Sequence, residues 1–472
     1  MFLLLTGSRQ QPKQRLSNLL HAQVIFYHSS SQVKSSLLHP QPLKQRIMAR
    51  DAVSSGTAVD RISNMPRNII DLILERLSIH EAAIMGVLSK TWRDIWATNP
   101  HLVFDGLFFA TLSPKKFHPD PSKNSRIISN ILLAHSGPIL NFILYIPRYS
   151  LLNRSLDKDL WIKNLSNKRV RNLKLINLED IRYKIPSSLF SCLDLTHLNL
   201  FSCILNPPRR FGGFCNLIKV ELVHVKITAD ISFGTQLEEL ALSNCTGIEH
   251  LRCQFKHGNN LTLLKIIDTG EFDLGWFECV QKVTNLSLTI NVFANSRIEI
   301  INLDKLFGSM PRINTLYLCG FSLESLEPGA AVSERPRTTL ENLYLDCVGF
   351  HDLDHMQYVL CLIKSFPNLR YLNISLEPKV NSNDDMDLMA LWGDMILNQL
   401  ESVEIQGIVG TRPEFQFVQV LLASTPSLRL LKLNKYSTID FPRIDDLKEE
   451  LRIARALLLF PRASRSAQVI WA

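Results

Sequence analysis

At 472 residues the chain exceeds the size at which one compact core stops growing, so several domains or a repeat array are expected. Hydrophobic residues make up 46% and charged residues 20%, as in a folded protein, and no apolar run reaches the roughly 18 residues of a bilayer span. The net charge of +8 argues against nucleic acid once it is located: residues 1–50 carry Arg9, Lys13, Arg15, Lys34, Lys44, Arg46 and Arg50 and no acid, which leaves the remainder close to neutral.

This basic leader, residues 1–59, is rich in Ser, Gln and Leu, the composition of a transit peptide. The reading preferred here is that Met48 is the true start and that what precedes it is an over-extension. From Pro66 onward the pattern changes. Ile69, Ile70, Ile73, Leu74 and Leu77 recur at helical spacing with Pro in the first turn. Ile79 to Val87 predicts a second helix, broken after Gly86, and Ser89 is a candidate N-cap for a third carrying Trp92 and Trp96. A unit of about 40 residues has too little core to stand alone without metal, disulfide or partner. It holds no Cys, so a partner is expected.

Residues 101–138 are expected as a linker or cap. Beyond them the template L-x-x-L-x-L, with Val or Ile allowed, begins at Val170, Leu195, Leu217, Leu237, Leu261, Val283, Ile313, Leu340, Leu369, Leu400 and Leu428, at intervals of 20 to 31 residues. This is the period of leucine-rich repeats. "PILNFILYI" around Ile139 is a degenerate further copy. Each L-x-L puts two apolar residues on one face of a short strand, and no copy buries that face alone. An α/β solenoid with a parallel sheet on its concave side is therefore predicted over residues 139–398.

The intervening positions face the concave surface: His197, Asn199 and Phe201; Lys219, Glu221 and Val223; Thr315, Tyr317 and Cys319; Asn342, Tyr344 and Asp346; Tyr371, Asn373 and Ser375. Tyr317, Tyr344 and Tyr371 lie on three consecutive copies, flanked by Asp346 and Asn373, and these five form the candidate protein-binding patch. The acidic stretch 381–387 is expected as a solvated rim loop.

All nine cysteines fall between Cys192 and Cys361 without a C-x-x-C pair, and several recur at one repeat position, as in "HLNLFSC", "ELALSNC" and "NLYLDC". They are expected as buried thiols in a reducing compartment, cytoplasm or nucleus. His351 and His355 in "HDLDH" share helical spacing but lack a third ligand, so no metal site is expected. No phosphate-binding, dinucleotide-binding, zinc-protease or nucleophile-elbow motif occurs, so neither catalysis nor a cofactor is predicted.

Met65-Pro66, Ile69, Ile70, Ile73, Leu74, Leu77, Leu88-Ser89-Lys90 and Trp92-Arg93 resemble the F-box pattern over residues 60–100, with Met65 in place of the usual Leu and Ser78 in place of the usual Pro. Ser78 is expected to loosen the turn between helices. The end of the chain, "QLESVEIQGIVGTRPEFQFVQVLLASTPSLRLLKL" followed by "LLLFPRAS", resembles the FBD domain that closes many plant F-box and leucine-rich-repeat proteins, here residues 399–472. The resemblance implies a three-helix F-box, a repeat solenoid and an FBD end. It also implies a non-catalytic substrate receptor of a Skp-cullin-F-box ubiquitin ligase. Pro66, Ile69, Ile70, Ile73, Leu74, Leu77, Leu88, Ser89 and Trp92 would then meet a Skp-type adaptor, and through it a cullin, while the repeats hold an unknown protein; neither nucleic acid nor membrane is an expected partner. A repeat scaffold without ligase role and a small-molecule sensor are the alternative readings.

Overall fold

The computed structural model describes residues 65–471 apart from 75, 89, 113–120, 148–154, 254–259, 268–279, 290–309, 320–338, 351–352, 378–390, 394 and 436–443. The expectations for the 1–59 leader, Ser89, His351 and the 381–387 stretch lie outside the described residues.

Three helices open the described chain: α1 (Arg67–Leu74), α2 (Ile79–Leu88) and α3 (Lys90–Ala97). Ile70 and Leu74, one turn apart on α1, bury against Ala82, Trp92 and Ile95, with Leu77, Met85 and Trp96 packed around them. Two expectations are corrected here. Helix α2 runs through Gly86 to Leu88 instead of breaking, and a Cβ at Gly86 would lie 3.5 Å from the Trp96 Cβ, an ordinary packing contact, so Gly86 sits at the α2–α3 contact in helical backbone. Ser78 does not loosen the turn: its backbone N–H and its hydroxyl both donate to Glu81 Oε2, at 2.9 and 2.8 Å, and the Glu81 N–H returns to the Ser78 hydroxyl at 3.3 Å. That reciprocal pair is a capping box, and it fastens the start of α2.

Only Thr98 to Pro100 separate α3 from the first strand. In chain order follow β1 (His101–Phe104), α4 (Gly106–Leu112), α5 (Pro121–Ala134), β2 (Asn141–Ile146), α6 (Ser155–Leu165), β3 (Asn172–Asn177), β4 (Tyr183–Lys184), β5 (His197–Phe201), β6 (Cys203–Leu205), β7 (Lys219–Val223), β8 (Lys226–Ile227), β9 (Ile231–Phe233), β10 (Glu239–Ser243) and β11 (Leu251–Cys253). After these come β12 (Leu263–Ile267), β13 (Asn285–Thr289), β14 (Thr315–Cys319), β15 (Asn342–Val348), α7 (Leu353–Ser365), β16 (Tyr371–Leu376), β17 (Ser402–Ile408), α8 (Arg412–Ser424), β18 (Leu430–Lys435), α9 (Ile444–Leu459) and β19 (Gln468–Trp471).

Fourteen of these strands form one sheet in the order β1-β2-β3-β5-β7-β10-β12-β13-β14-β15-β16-β17-β18-β19. All neighbours in it run parallel, with register pairs such as Leu198 with Val220 and Leu316 with Leu343. The eleven template starts each lie two residues before a strand and are all buried, from Val170 at 1% exposure to Leu428 at 0%. Inward leucines from successive copies stack in register, Leu286 on Leu316 on Leu343 on Leu372, and make one continuous core. Each such burial is worth about 1.5–3 kcal/mol, and only the neighbouring copies supply it.

Residues 101–138 hold β1 and two helices of this same body, not a linker. Phe104, Phe108 and Ile128 there belong to the main core, as does Ile79 from α2. The Ser136 N–H donates to the Ala97 carbonyl at 2.8 Å, so the helical unit is joined to the sheet through both packing and backbone. At the other end α8, β18, α9 and β19 continue the sheet and its core, with Phe417, Leu421 and Leu457 buried in it.

A recurring turn takes the chain out of the sheet. Ser202, His224 and Asn244, each one residue past its strand, adopt left-handed φ of 54°, 55° and 50°. Their N–H groups donate to the carbonyls of Val223, Ser243 and Ile267 on the next strand. Val223 and Cys319, the last residues of their strands and expected on the open face, are buried instead, whereas Phe201 at the end of β5 keeps the alternation and stays half-exposed. Of the recurring cysteines, Cys203 and Cys245 are buried as expected. Cys347 is half-exposed, because it sits at a bulge in β15 with φ 55°.

Candidate functional site

The open face of the sheet carries one row of outward residues per register position. One row reads Lys174, Asn199, Glu221, Ala241, Lys265, Ser287, Tyr317, Tyr344, Asn373, Glu404 and Lys432. Tyr317 and Tyr344 are direct neighbours in this row, with ring centroids 4.0 Å apart and planes 12° from parallel. Tyr371 belongs to the adjoining row, opposite Asn342, yet its ring reaches back to within 5.3 Å of Tyr344 at a 47° tilt. The three rings thus meet, as the sequence spacing suggested. Asn373, not Tyr371, is the register partner of Tyr344.

Glu404 anchors the far end of this ladder, and nothing in the L-x-L spacing singled it out. One of its carboxylate oxygens accepts from Lys432 Nζ at 2.9 Å and from Asn434 Nδ2 at 2.8 Å. The other accepts from the Tyr371 hydroxyl at 3.3 Å and from Asn373 Nδ2 at 3.4 Å, while Asn373 also donates to the Tyr371 hydroxyl at 3.2 Å. Partial burial alone would raise the Glu404 carboxyl. The hydrogen bonds from Lys432 and Asn434 and the Lys432 charge override that and hold it below the ordinary glutamate range. The result is a carboxylate fixed by four donors that in turn fixes Tyr371. Burial, followed by hydrogen bonding with Tyr344, pushes the Tyr317 hydroxyl well above its ordinary value, so the ladder presents neutral phenols. Asp346, one turn of the alternation beyond Tyr344, accepts from the Cys347 N–H at 3.0 Å and is therefore directed by the bulge.

Further toward the amino-terminal side the row is ionic and amide. Asn199 Nδ2 donates to Glu221 across β5 and β7, and in the adjoining row Lys219 pairs with Glu239 across β7 and β10. A shallow groove of about 530 Å³ along the rim where the strands begin is lined by residues such as Leu140, Arg169, Arg171, Asp194 and Thr196, with Arg169 Nε 3.8 Å from the Asp194 carboxylate. Among the described residues there is no group of three or more His, Cys, Asp or Glu side chains that could hold a metal ion, and no helix long and apolar enough to cross a membrane.

On the helical unit the candidate residues divide by face. Ile70, Leu74 and Trp92 are 2–3% exposed and form the unit's own core, whereas Ile69 is 40% exposed, Leu72 54% and Ile84 48%, with Met65 at 36%. Ile73 and Leu77 are half-buried and Pro66 is exposed. Sequence spacing alone, with Ile69 and Ile70 adjacent, did not say which looks outward, and it passed over Leu72 and Ile84. The outward apolar side chains are therefore Met65, Ile69, Leu72 and Ile84, and those expected at the surface, Ile70, Leu74 and Trp92, are internal. The side chain of Leu88 lies outside the described residues.

Comparison with known proteins agrees with both halves of this arrangement. Residues 62–103 match the F-box domain, and residues 131–459 match the leucine-rich-repeat domain described for At1g61320/AtMIF1. F-box/FBD/LRR-repeat protein At1g13570 of Arabidopsis thaliana is 29% identical over 432 residues, covering 88% of this chain and 99% of that protein. Putative F-box/FBD/LRR-repeat protein At4g13965 of the same plant is 30% identical over 458 residues, covering 88% and 98% respectively. With a repeat-family match that spans most of the sheet, and a 30% identical relative aligned along nearly its whole length, this chain belongs to the F-box/leucine-rich-repeat proteins, and both relatives above carry the name F-box/FBD/LRR-repeat protein.

Proposed function

We propose that the chain is the substrate-recognition subunit of a Skp-cullin-F-box ubiquitin ligase. Its α1–α3 unit acts as a three-helix F-box that holds a Skp-type adaptor, and through it a cullin. Its tyrosine ladder, with Asp346 and Asn373, holds the protein to be ubiquitylated. Residues 399–472 serve as the FBD end. The observation that carries this reading is the pairing of exposed apolar side chains on the helical unit (Ile69, Leu72 and Ile84) with a sheet face whose aromatic and polar groups are held in place by their own hydrogen bonds. Apolar groups left in water at one end suit a constant partner, and preorganised tyrosines at the other suit a chosen one.

In this reading Ile69 and the half-buried Ile73 and Leu77 meet the adaptor together with Leu72 and Ile84. Ile70, Leu74 and Trp92 support them from below, the exposed Pro66 stands at the start of the same helix, and Leu88 and Ser89 are the remaining expected adaptor contacts. The chain contributes no reacting group. It raises the effective concentration of substrate lysines beside the conjugating enzyme, in cytoplasm or nucleus, and that proximity is its contribution to rate.

The test is co-purification of a Skp-type adaptor with the full chain and with a Leu72→Asp, Ile84→Asp double variant. Retention of the adaptor should fall by orders of magnitude while circular dichroism stays unchanged, because burying each side chain contributes about 1.5–3 kcal/mol and both are already in water in the free chain. Adaptor recovered at the parent's yield would overturn the ligase reading and leave a repeat scaffold.

A further inference from the structure

The tyrosine ladder ends abruptly on one side. Tyr344 covers one face of the Tyr317 ring, but the neighbour on the other side, in register on β13, is Ser287. Beyond Ser287 the row continues with Lys265 on β12. Tyr317 is 38% exposed, whereas Tyr344 and Tyr371 are half-buried, as fits a ring whose second face, among the described residues, stands over a small residue. Strands lie about 4.8 Å apart, so Lys265 and Tyr317 stand about 9.6 Å from each other at the level of the sheet. A planar group stacked on Tyr317 at the spacing Tyr344 already keeps, 4.0 Å, would have the Lys265 row on its other side at about 5.6 Å, inside the roughly 6 Å over which an ammonium is attracted to an aromatic face.

We propose that the gap over Ser287 is a slot for one aromatic side chain, presented by an extended segment of the bound protein, which stacks on the open face of Tyr317 and meets Lys265 on its far side. The inference rests on the reading of this face as the substrate-binding surface and names what that surface selects.

The charges around the slot set the choice of occupant. Glu221 lies on the same row two strands beyond Lys265 and draws on its charge, and Asn199 donates to Glu221 in turn, so the lysine already has an acidic neighbour and does not call for an anionic guest. A guanidinium placed on Tyr317 would lie closer to the Lys265 ammonium than to Glu221 and would be repelled. An aliphatic side chain would fill the space but gain neither the stack nor the cation–π term. Burial also lowers the Lys265 pKa, as expected for an ammonium short of water, and a π face in place of water compensates that loss.

The experiment uses the full chain purified with a Skp-type adaptor and short peptide pools, random except for one fixed central residue: Trp or Tyr, Arg, Asp, or Leu. Pools fixed in an aromatic residue should be retained about tenfold better than those fixed in Arg or Leu. Ser287→Trp, which fills the slot from within, should cancel that preference. Ser287→Ala, which leaves it open, should keep it, with both variants melting at the parent's temperature. If Arg or Leu pools are retained best and Tyr317→Ala still releases them, the face binds peptides but the aromatic slot is wrong. If no pool responds to Tyr317→Ala, or none is retained, the slot falls and the reading of the face as a peptide-binding surface falls with it.

Discussion

The tyrosine ladder makes a quantitative prediction about its own cohesion. Aromatic pairs contribute about 0.5–1.5 kcal/mol beyond area burial, with offset and tilted geometries at the favourable end because the ring quadrupoles repel when faces coincide. Tyr317 and Tyr344, close to parallel with centroids at 4.0 Å, fall short of the roughly 4.5–7 Å at which such pairs are most favourable, which places them near the lower figure, whereas Tyr344 and Tyr371 meet inside that range at 5.3 Å and 47° and belong near the upper one. Tyr371 is in addition held by Glu404 and Asn373, so its ring loses little freedom on making the contact. In double-mutant cycles of alanine replacements, the Tyr344/Tyr371 coupling should therefore be about 1 kcal/mol or more and should exceed that of Tyr317/Tyr344, at about 0.5 kcal/mol. A repeat sheet opens locally, so the right readout is native-state hydrogen exchange of the amides in β14, β15 and β16 rather than one global midpoint. The reverse order of couplings would refute the quadrupole argument. Two couplings below about 0.3 kcal/mol, the level at which independent sites simply add, would refute the ladder as an energetic unit.

Three further outcomes are expected. Gly247→Ala should cost about 3 kcal/mol or more, because φ is +76° and the new Cβ would fall 1.9 Å from the Ile227 carbonyl oxygen; Gly393→Ala, at φ +62° with open space around it, should cost only about 1–2 kcal/mol, and equal losses in thermal melts would contradict this. Ile70→Ala should destabilise the helical unit by about 2–5 kcal/mol while Ile69→Ala stays within about 0.5 kcal/mol, as read by proteolysis of residues 65–97. Burial lowers His135 and His224 below the ordinary 6.5, so the unfolded chain takes up protons that the folded one refuses. Stability should then fall as pH drops below about 6.5, and a His135→Gln, His224→Gln variant should show a flatter melting-temperature profile over that window.

The repeat strands were legible because a buried leucine at fixed offsets leaves the same mark in every copy; all eleven template starts are followed, two residues later, by a strand of the one sheet. Strands β1 and β19 were not, since "HLVF" and "QVIW" lack the leading L-x-x-L: each lies at an end of the sheet, where a copy has a neighbour on one side only. The meeting of Tyr317 with Tyr344 followed from alternation. The role of Glu404 did not, because it depends on which residues of β16, β17 and β18 stand opposite each other, and register between copies separated by loops of varied length is not written in any one copy. On α1 the spacing showed an apolar face without its direction. With Ile69 beside Ile70, only the packing of α2 and α3 decides which one is inside.

The three residues between α3 and β1 give the molecule a fixed reach. Ile79 lies in the core of the sheet and the Ser136 N–H is bonded to the last residue of α3, so the helical unit has no tether on which to swing. From β1 to the strand bearing Tyr317 is eight steps along the sheet, about 38 Å at the usual strand spacing. Under the proposed function, a receptor built this way would measure as well as bind: which lysines of a captured protein came within range would depend on the number of copies between the two ends. Adding or deleting one complete copy between β5 and β13 would move that range by about 5 Å without touching either surface. A flexible Gly-Ser insert after Thr98 would blur the range instead, spreading modification over lysines that the joined form passes by.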